Sequence, residues 1–331
     1  MNHYIITYHY IRDDNPYNVN ALRISDFEKQ LNYFIDNFSP LYPNDLLNAV
    51  EQNSEPPPGF LLTFDDGLKE HYKVAYRLLR ERGLSGIFFP NISHLIGGNI
   101  PLVNKLQVVL GKLGIKKLEQ YLLDRYKTHP QGRRLNAIPS APVKIKRLDN
   151  MRVQNIKYFM NFTLDEHVSN DLINDIFEGV VGDVRRYIAE NFLTEREILE
   201  MHDNGMVFGG HSVTHPYLTS VDYARKEYEI LESINYLSSM LGDTVKYFCY
   251  PYGHFDTDCK KILGKSDVSL AFTTTPEIHF GASQRYSIGR YDTIHFPPVG
   301  SLGPVNTTPM GSVASEKAPI KARGERFGDA K

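Results

Sequence analysis

Short apolar runs bounded by polar turns punctuate the chain at residues 4–8, 60–64, 87–89, 207–209, 247–250 and 270–273. Runs this short and this uniformly apolar predict strands buried on both faces. Between them the period changes to that of a helix, over 25–37, 70–82 and 223–241. The cap-like Ser25-Asp26-Phe27-Glu28 opens the first of these, Gly83 closes the second and Gly242 the third. Strand and helix in repeated alternation predict a mostly parallel sheet or barrel of the α/β class.

From 99 to 192 the alternation stops. Apolar positions fall at helical spacing at Leu102, Leu106, Val109, Leu110 and Leu113, and again at Ile173, Ile176, Phe177 and Val180. This stretch reads as a large helical insertion, with an exposed loop rich in Pro, Ala and basic residues over 129–147. Beyond Pro298 large apolar residues become scarce and no period survives, which predicts a disordered tail. The division is therefore 1–98 and 193–298 for the two parts of one catalytic unit, 99–192 for the insertion and 299–331 for the tail. No internal repeat is visible.

Composition narrows the function. The 331 residues are 41% hydrophobic, enough for a large core, and 37 basic against 39 acidic side chains leave a net charge of -2, which offers nucleic acid no attraction. Two cysteines, Cys249 and Cys259, make neither a disulfide framework nor a CxxC metal spacing, so a reducing compartment is expected. The N-terminal MNHYIITYHYIRDDN lacks the pattern of a leader, and no run approaches the roughly 18 apolar residues of a membrane-spanning helix. The expectation is a cytoplasmic protein, soluble or peripheral to the membrane; nothing in the sequence sets its oligomeric state.

Three segments carry chemistry. Leu61-Leu62-Thr63-Phe64-Asp65-Asp66-Gly67 runs an apolar strand into two adjacent carboxylates, at the strand end where parallel α/β folds bind ligands. Gly209-Gly210-His211-Ser212-Val213-Thr214-His215-Pro216 places two imidazoles four positions apart after another apolar run. Pro216 biases His215 away from helix, so the pair is expected in a strand-end loop. One carboxylate and two imidazoles make a three-ligand site with an open position, as in catalytic zinc centres, and the other carboxylate is then a natural general base. The third segment, Phe248-Cys249-Tyr250-Pro251-Tyr252-Gly253-His254, ends in a turn whose backbone N–H groups could face a developing oxyanion. Taken singly, each also fits a polar turn, surface histidines or a Pro/Gly strand ending.

TFDDG, HSVTHP and YPYG, in that order, resemble the first three motifs of the polysaccharide deacetylase family, the NodB-homology carbohydrate esterases. The likeness covers roughly 4–98 and 194–290. It implies a distorted (β/α) barrel and a single divalent metal ion, zinc before cobalt, nickel or manganese, used to remove acetyl groups from saccharides. Carried over by position, it makes Asp65 the catalytic base, Asp66, His211 and His215 the metal ligands, and Tyr252 the backbone oxyanion donor. Where the family often has an arginine that holds the base, this chain has Cys249; Arg290, in Ile288-Gly289-Arg290-Tyr291, is the candidate to replace it from a neighbouring strand.

The family's C-terminal motif, two leucines followed by the histidine that serves as general acid, is absent after Tyr252. Ile5-Ile6-Thr7-Tyr8-His9 ends an apolar run in a histidine instead, and a closed barrel makes first and last strands neighbours. His9 is therefore the expected acid in a circularly permuted arrangement, with His254, His279 and His295 as alternatives. The expected activity is metal-dependent removal of an N-acetyl or related acyl group from an amino sugar in a glycan or glycan precursor. A magnesium-dependent phosphohydrolase and a non-catalytic carbohydrate-binding relative are the competing readings. The first is disfavoured by the histidine pair and by the lack of a GxxxxGK[ST] loop.

Overall fold

The computed structural model describes residues 3–141, 150–276, 278–281 and 283–298; the expected tail over 299–331 and part of the 129–147 loop lie outside the described residues. All six sequence-derived strands form: β1 (His3–Tyr8), β2 (Gly59–Asp65), β3 (Gly86–Phe89), β4 (Val207–Phe208), β5 (Tyr247–Cys249) and β6 (Leu270–Phe272). A seventh, β7 (Tyr291–Asp292), has only two residues and no apolar run to announce it. Five strands pair in parallel in the order β4-β3-β2-β1-β7, and β5 pairs with β6. Single bridges, Gly210 to Phe248 and Phe272 to Ile288, join the two sheets, so neighbours follow chain order around a distorted barrel. β1 lies between β2 and β7.

The two faces of each strand go to different cores, as the period of two requires. Tyr4, Ile6 and Tyr8 of β1 and Phe60, Leu62 and Phe64 of β2 pack outward against Phe27, Leu31 and Phe34 of helix α1 (Ile24–Asn37). Phe64 stacks on Phe88 at 4.6 Å, so its truncation to alanine would cost about 3–5 kcal/mol. Ile5, Leu61, Ile87, Phe89, Leu270 and Phe272 fill the barrel interior, closed at one end by Leu46 and Val50 of α2 (Pro43–Glu51). Thr7, Thr63 and Asp65 share that inward parity, which sends the Asp65 carboxylate into the barrel. Gly209 permits the seam at β4: a Cβ there would lie 2.4 Å from the Phe89 ring.

Two local expectations are corrected. Ser25 does not cap α1; the N-cap is Arg23, without a side-chain cap bond, because Asp13 from a distant loop accepts the Ile24 N–H at 3.1 Å. The helix expected over 70–82 begins as a π-helical turn, His71–Tyr76, and becomes α-helical only in α3 (Arg77–Glu81). His71 is tied at both ring nitrogens there, accepting from the Leu68 N–H and donating to the His9 carbonyl.

After α4 (Ser93–Ile96), the stretch from 99 to 192 holds α5 (Leu102–Leu113), α6 (Ile115–Thr128), α7 (Met151–Tyr158), a π-helical turn Phe159–Thr163, α8 (Glu166–Val181) and α9 (Val184–Asn191). Leu106, Val109, Leu118, Leu122, Ile173 and Phe177 build a second core, which also takes in Tyr10 and Leu68 from the barrel's loops. The segment thus sits at the end of the strands that carries the motifs. The chain then re-enters the barrel through α10 (Glu195–Asp203), whose capping box pairs Thr194 with Glu197, and continues with α11 (Tyr223–Leu241) and α12 (Thr257–Leu263). No helix among the described residues is long and apolar enough to cross a membrane.

Candidate active site

β2 delivers Asp65 and Asp66 to the mouth of the barrel, and a positive φ of 75° at Asp66 turns the two carboxylates apart. Asp65 faces inward. Arg290 Nη1 and Nη2 donate to its two oxygens at 2.8 and 2.7 Å, Thr7 Oγ1 donates at 3.3 Å, and the Cys249 thiol lies 3.7 Å away. The remaining donors of Arg290 reach the Thr273 carbonyl, Thr63 Oγ1 and Cys249 Sγ, so this buried cation is fully bonded. Burial works against charge on Asp65, but the Arg290 charge and its hydrogen bonds outweigh it and hold the carboxyl well below the usual range. Asp65 is therefore an anion at neutral pH.

Asp66 points the other way. Its Oδ1 lies 3.6 Å from His211 Nε2 and 3.6 Å from His215 Nε2. That oxygen is buried and has no hydrogen-bond partner among the described residues. His211 Nδ1 sits 2.7 Å from the Cys249 carbonyl, which places a proton on Nδ1 and turns Nε2 toward Asp66. Three ligand atoms thus converge within 4.8 Å of one another. A tetrahedral ion with ligands at ~2.0–2.2 Å needs edges of about 3.3–3.6 Å, so the donor set fits a divalent cation such as zinc. Asp65, His211 and Cys249 form an overlapping cluster, but there both carboxylate oxygens are taken by Arg290.

Protonation follows the same geometry. Burial, then the charge of His211, pushes His215 down to about 3, a neutral imidazole suited to ligation. Burial also opposes charge on Asp66, yet the neighbouring His211 and His215 imidazoles hold its carboxyl well below the usual range. His211 is raised well above its ordinary value because Cys249 and Asp66 outweigh the burial that would strip its proton.

The 211–216 loop contains no helix; Ser212 and His215 both take positive φ, 63° and 60°. Such strain, about 1–3 kcal/mol per residue, persists only under outside constraint. Glu229 of α11 supplies it, accepting the Val213 and Thr214 N–H groups at 2.8 Å and the Thr214 hydroxyl at 2.6 Å. Two further site residues come from elements with no motif. Asn104 of α5 donates to Asp66 Oδ2 at 3.3 Å and to the Tyr10 hydroxyl at 3.0 Å. No sequence signal marks either, since both read as members of a helical or loop pattern.

The remaining expected residues divide. His9 follows β1, is half-buried, and holds Nε2 3.9 Å from Asp65 Oδ2. Tyr252 takes a positive φ of 59° in a tight turn, its ring 4.6 Å from that of His215 and stacked on Tyr217 at 3.7 Å. Of the alternative acids, His254 and His279 are exposed, and His295 Nδ1 lies 3.1 Å from the Asp292 carbonyl. Arg290, immediately before β7, donates to both oxygens of Asp65.

A family model described as polysaccharide deacetylase matches residues 154–271, which include both histidines and the YPYG turn but begin after Asp65 and Asp66. No curated protein matches the chain significantly. Among solved structures, the chain is similar to the deacetylase PplD of Streptococcus pyogenes, crystallised with acetate, at 18% identity and a TM-score of 0.55, over 88% of this chain and 92% of that one. It is similar to IcaB of Ammonifex degensii at 16% identity and a TM-score of 0.53, over 88% and 91%. A de-N-acetylase of Aggregatibacter actinomycetemcomitans matches at 15% identity and a TM-score of 0.50, over 87% and 94%. At these identities the structures establish a common fold.

Proposed function

We propose, from the polysaccharide deacetylase family to which this chain belongs, that it is a metal-dependent hydrolase removing an N-acetyl group from an amino sugar within a glycan or its precursor. One observation carries the reading: a ligand triangle of Asp66, His211 and His215 lies beside a second carboxylate, Asp65, that is held ionised by Arg290. Zinc is the ion best matched to one carboxylate and two imidazoles with an open position. When bound, such an ion acts as a Lewis acid and brings the pKa of water down toward about 7.

The protein's own groups do the rest. Asp65 accepts a proton from the attacking water at an oxygen that Arg290 keeps in place. The Tyr252 N–H, in a turn with positive φ at that residue, donates to the oxygen of the amide carbonyl as it gains charge. His9, at the open side of Asp65, gives a proton to the sugar nitrogen as the C–N bond breaks, so acetate and a free amino sugar leave. Incubating zinc-loaded protein with N-acetylated saccharides and following acetate by mass spectrometry tests this reading. Release of phosphate from phosphate esters, without acetate, would favour the phosphohydrolase instead.

A further inference from the structure

His9, the proposed acid, stands on the loop that leaves β1, and among the described residues nothing hydrogen-bonds its imidazole. The direction of the ring therefore rests on the backbone of residues 9–12. A loop at a barrel mouth is ordinarily mobile, yet here each of these residues is tied. His71 donates to the His9 carbonyl at 3.0 Å, and the Leu22 N–H donates to the Tyr10 carbonyl at 2.9 Å. The Ile11 N–H donates to Glu70 Oε1 at 3.3 Å, and the Arg12 N–H to the Leu22 carbonyl at 2.9 Å.

Glu70 is the centre of this arrangement. It is 6% exposed and stands directly before the π-helical turn that carries His71. Arg12 Nε and Nη2 donate to its two carboxylate oxygens at 2.8 and 2.7 Å, so the pair meets in the two-pronged geometry that fixes both side chains. The other arm of the guanidinium, Nη1, donates at 3.1 Å to Oδ1 of Asn191, the last residue of α9. Asn191 Nδ2 donates to the Tyr187 carbonyl at 2.9 Å, which sets the end of the carboxamide that faces Arg12. Just beyond, the Leu193 N–H donates to the Gly67 carbonyl at 2.8 Å and Phe192 bridges Leu68. The exit of the helical segment is thus stitched to the loop of Asp66 and, through Arg12, to the loop of His9. Apolar side chains of similar volume generally stabilise a core as well as a buried ion pair does, so stability alone does not account for this one. What a two-pronged pair adds is direction.

We infer that the Arg12–Glu70 pair, braced by Asn191 of α9, is a positioning device for His9, holding the loop after β1 so that the imidazole stays beside Asp65 on the side of the leaving nitrogen. The inference rests on the proposed function of His9 and deepens it. The helical segment takes part in proton delivery through the acid's loop, without touching the reacting atoms.

A double-mutant cycle with His9 separates positioning from mere support of the fold. Arg12→Met combined with Glu70→Gln leaves no unpaired buried charge and keeps an acceptor for the Ile11 N–H, whereas Asn191→Ala keeps the ion pair and removes only its brace. In the full-length, zinc-loaded protein, the paired replacement should lower kcat on an N-acetylated saccharide about 10- to 10²-fold, the size of a small misplacement, with metal content unchanged. Asn191→Ala should lower it roughly two- to tenfold, the size of one hydrogen bond. Both losses should be smaller on an aryl ester of acetic acid, and neither change should lower kcat further in a His9→Ala background. Equal losses on the two substrates, or undiminished losses without His9, would overturn the inference; if the paired replacement does not fold, Asn191→Ala carries the same cycle. A readout apart from turnover is the His9 imidazole carbon-proton NMR signal, identified by its loss in His9→Ala. It should move or broaden in Asn191→Ala while that of His254 stays, and an unmoved His9 signal would also overturn the inference. Absence of acetate release from any acetylated saccharide would instead defeat the proposed function, and the NMR comparison reads independently of it.

Discussion

Arg290 holds Asp65 through two parallel hydrogen bonds, 2.8 and 2.7 Å long, across 225 residues of sequence. The guanidinium enters from the end of the barrel circuit, where Ile288 bridges to β6 and Tyr291 begins β7. Cys249, at the third motif, contributes a thiol contact to both partners instead of a charge. The charge that holds Asp65 thus comes from the residue before β7 and not from the third motif.

Removing the charge should expose what it does. In Arg290→Met, burial is opposed only by the His211 and His9 imidazoles, so the pKa of Asp65 rises and the acid limb of the kcat/KM profile should move to higher pH. Leaving that carboxylate buried and unpaired should also lower stability by about 3–5 kcal/mol. Arg290→Lys keeps charge but loses the two-pronged geometry and should fall between wild type and Arg290→Met. A pH–rate profile of the methionine variant superimposable on wild type would separate Arg290 from the base.

The two carboxylates should part in their effect on metal. Asp66→Ala, His211→Ala and His215→Ala should each lose bound ion by elemental analysis, while Asp65→Asn should keep about one ion per chain and lose about 10²–10⁴ in kcat. Chelation of wild type should abolish turnover and zinc should restore it. Full metal content in both histidine variants would exclude this ligand set, and with it the cluster containing Cys249, which shares His211.

Asn104 links the insertion to this centre. Its hydrogen bond to Asp66 Oδ2 orients the ligand oxygen that faces the histidines. Outer partners of this kind typically contribute 10–100-fold in metal affinity, so Asn104→Ala should weaken zinc binding by roughly that factor in a chelator competition. Unchanged affinity would limit Asn104 to packing.

How much of this the sequence disclosed follows from how local each cause is. β2 was legible because its neighbours cover both faces and all seven of its residues are buried, which demands a continuous apolar run. β7 was invisible because two residues, Tyr291 and Asp292, cannot show a period. Asp65, Asp66 and His211 stood out because they sit at or just past the end of an apolar strand, and His215 because it repeats the imidazole four positions on. Asn104 and Tyr10 reach the site through tertiary packing alone, and Glu229 acts from the far side of a strained loop. The Ser25 reading failed because a competing partner, Asp13, arrives from outside the helix.

Lys105 of α5 gives the insertion its own pH signature. It is buried, bonded through Nζ to the side-chain oxygens of Asn99 and Asn174, and burial pushes it down to about 8. Between about 8 and the ordinary lysine value near 10.4, the unfolded chain binds the proton that the folded chain has released, so stability rises with pH there. Below that window the folded protein bears the full cost of the buried ammonium. Lys105→Met removes this dependence. Urea unfolding at pH 7 and pH 10 should show wild type gaining on the variant by up to roughly 3 kcal/mol at the higher pH. A difference independent of pH would place the lysine charge in solvent.

His9 is where the sequence order and the chemistry depart furthest from the family pattern. A proton donor is needed on the leaving-nitrogen side, and β1, lying between β2 and β7, brings a histidine to the barrel mouth from the first strand. Its Nε2 stands 3.9 Å from Asp65, and 39% side-chain exposure leaves it open to substrate. The backbone there is anchored, because His71 donates to the His9 carbonyl at 3.0 Å, so the imidazole hangs from a fixed point. His295 lies near a backbone carbonyl and His254 is exposed beside Tyr217, and neither is paired with Asp65. His9→Ala should therefore lower kcat by about 10²–10⁴ with metal content and fold intact. The loss should shrink for substrates whose leaving group needs no protonation, such as an aryl ester of acetic acid, since the acid's share of catalysis is then removed in both proteins. Equal losses on sugar amide and aryl ester would show that His9 acts through Asp65, as a positioning group, and leave the acid's role to another histidine.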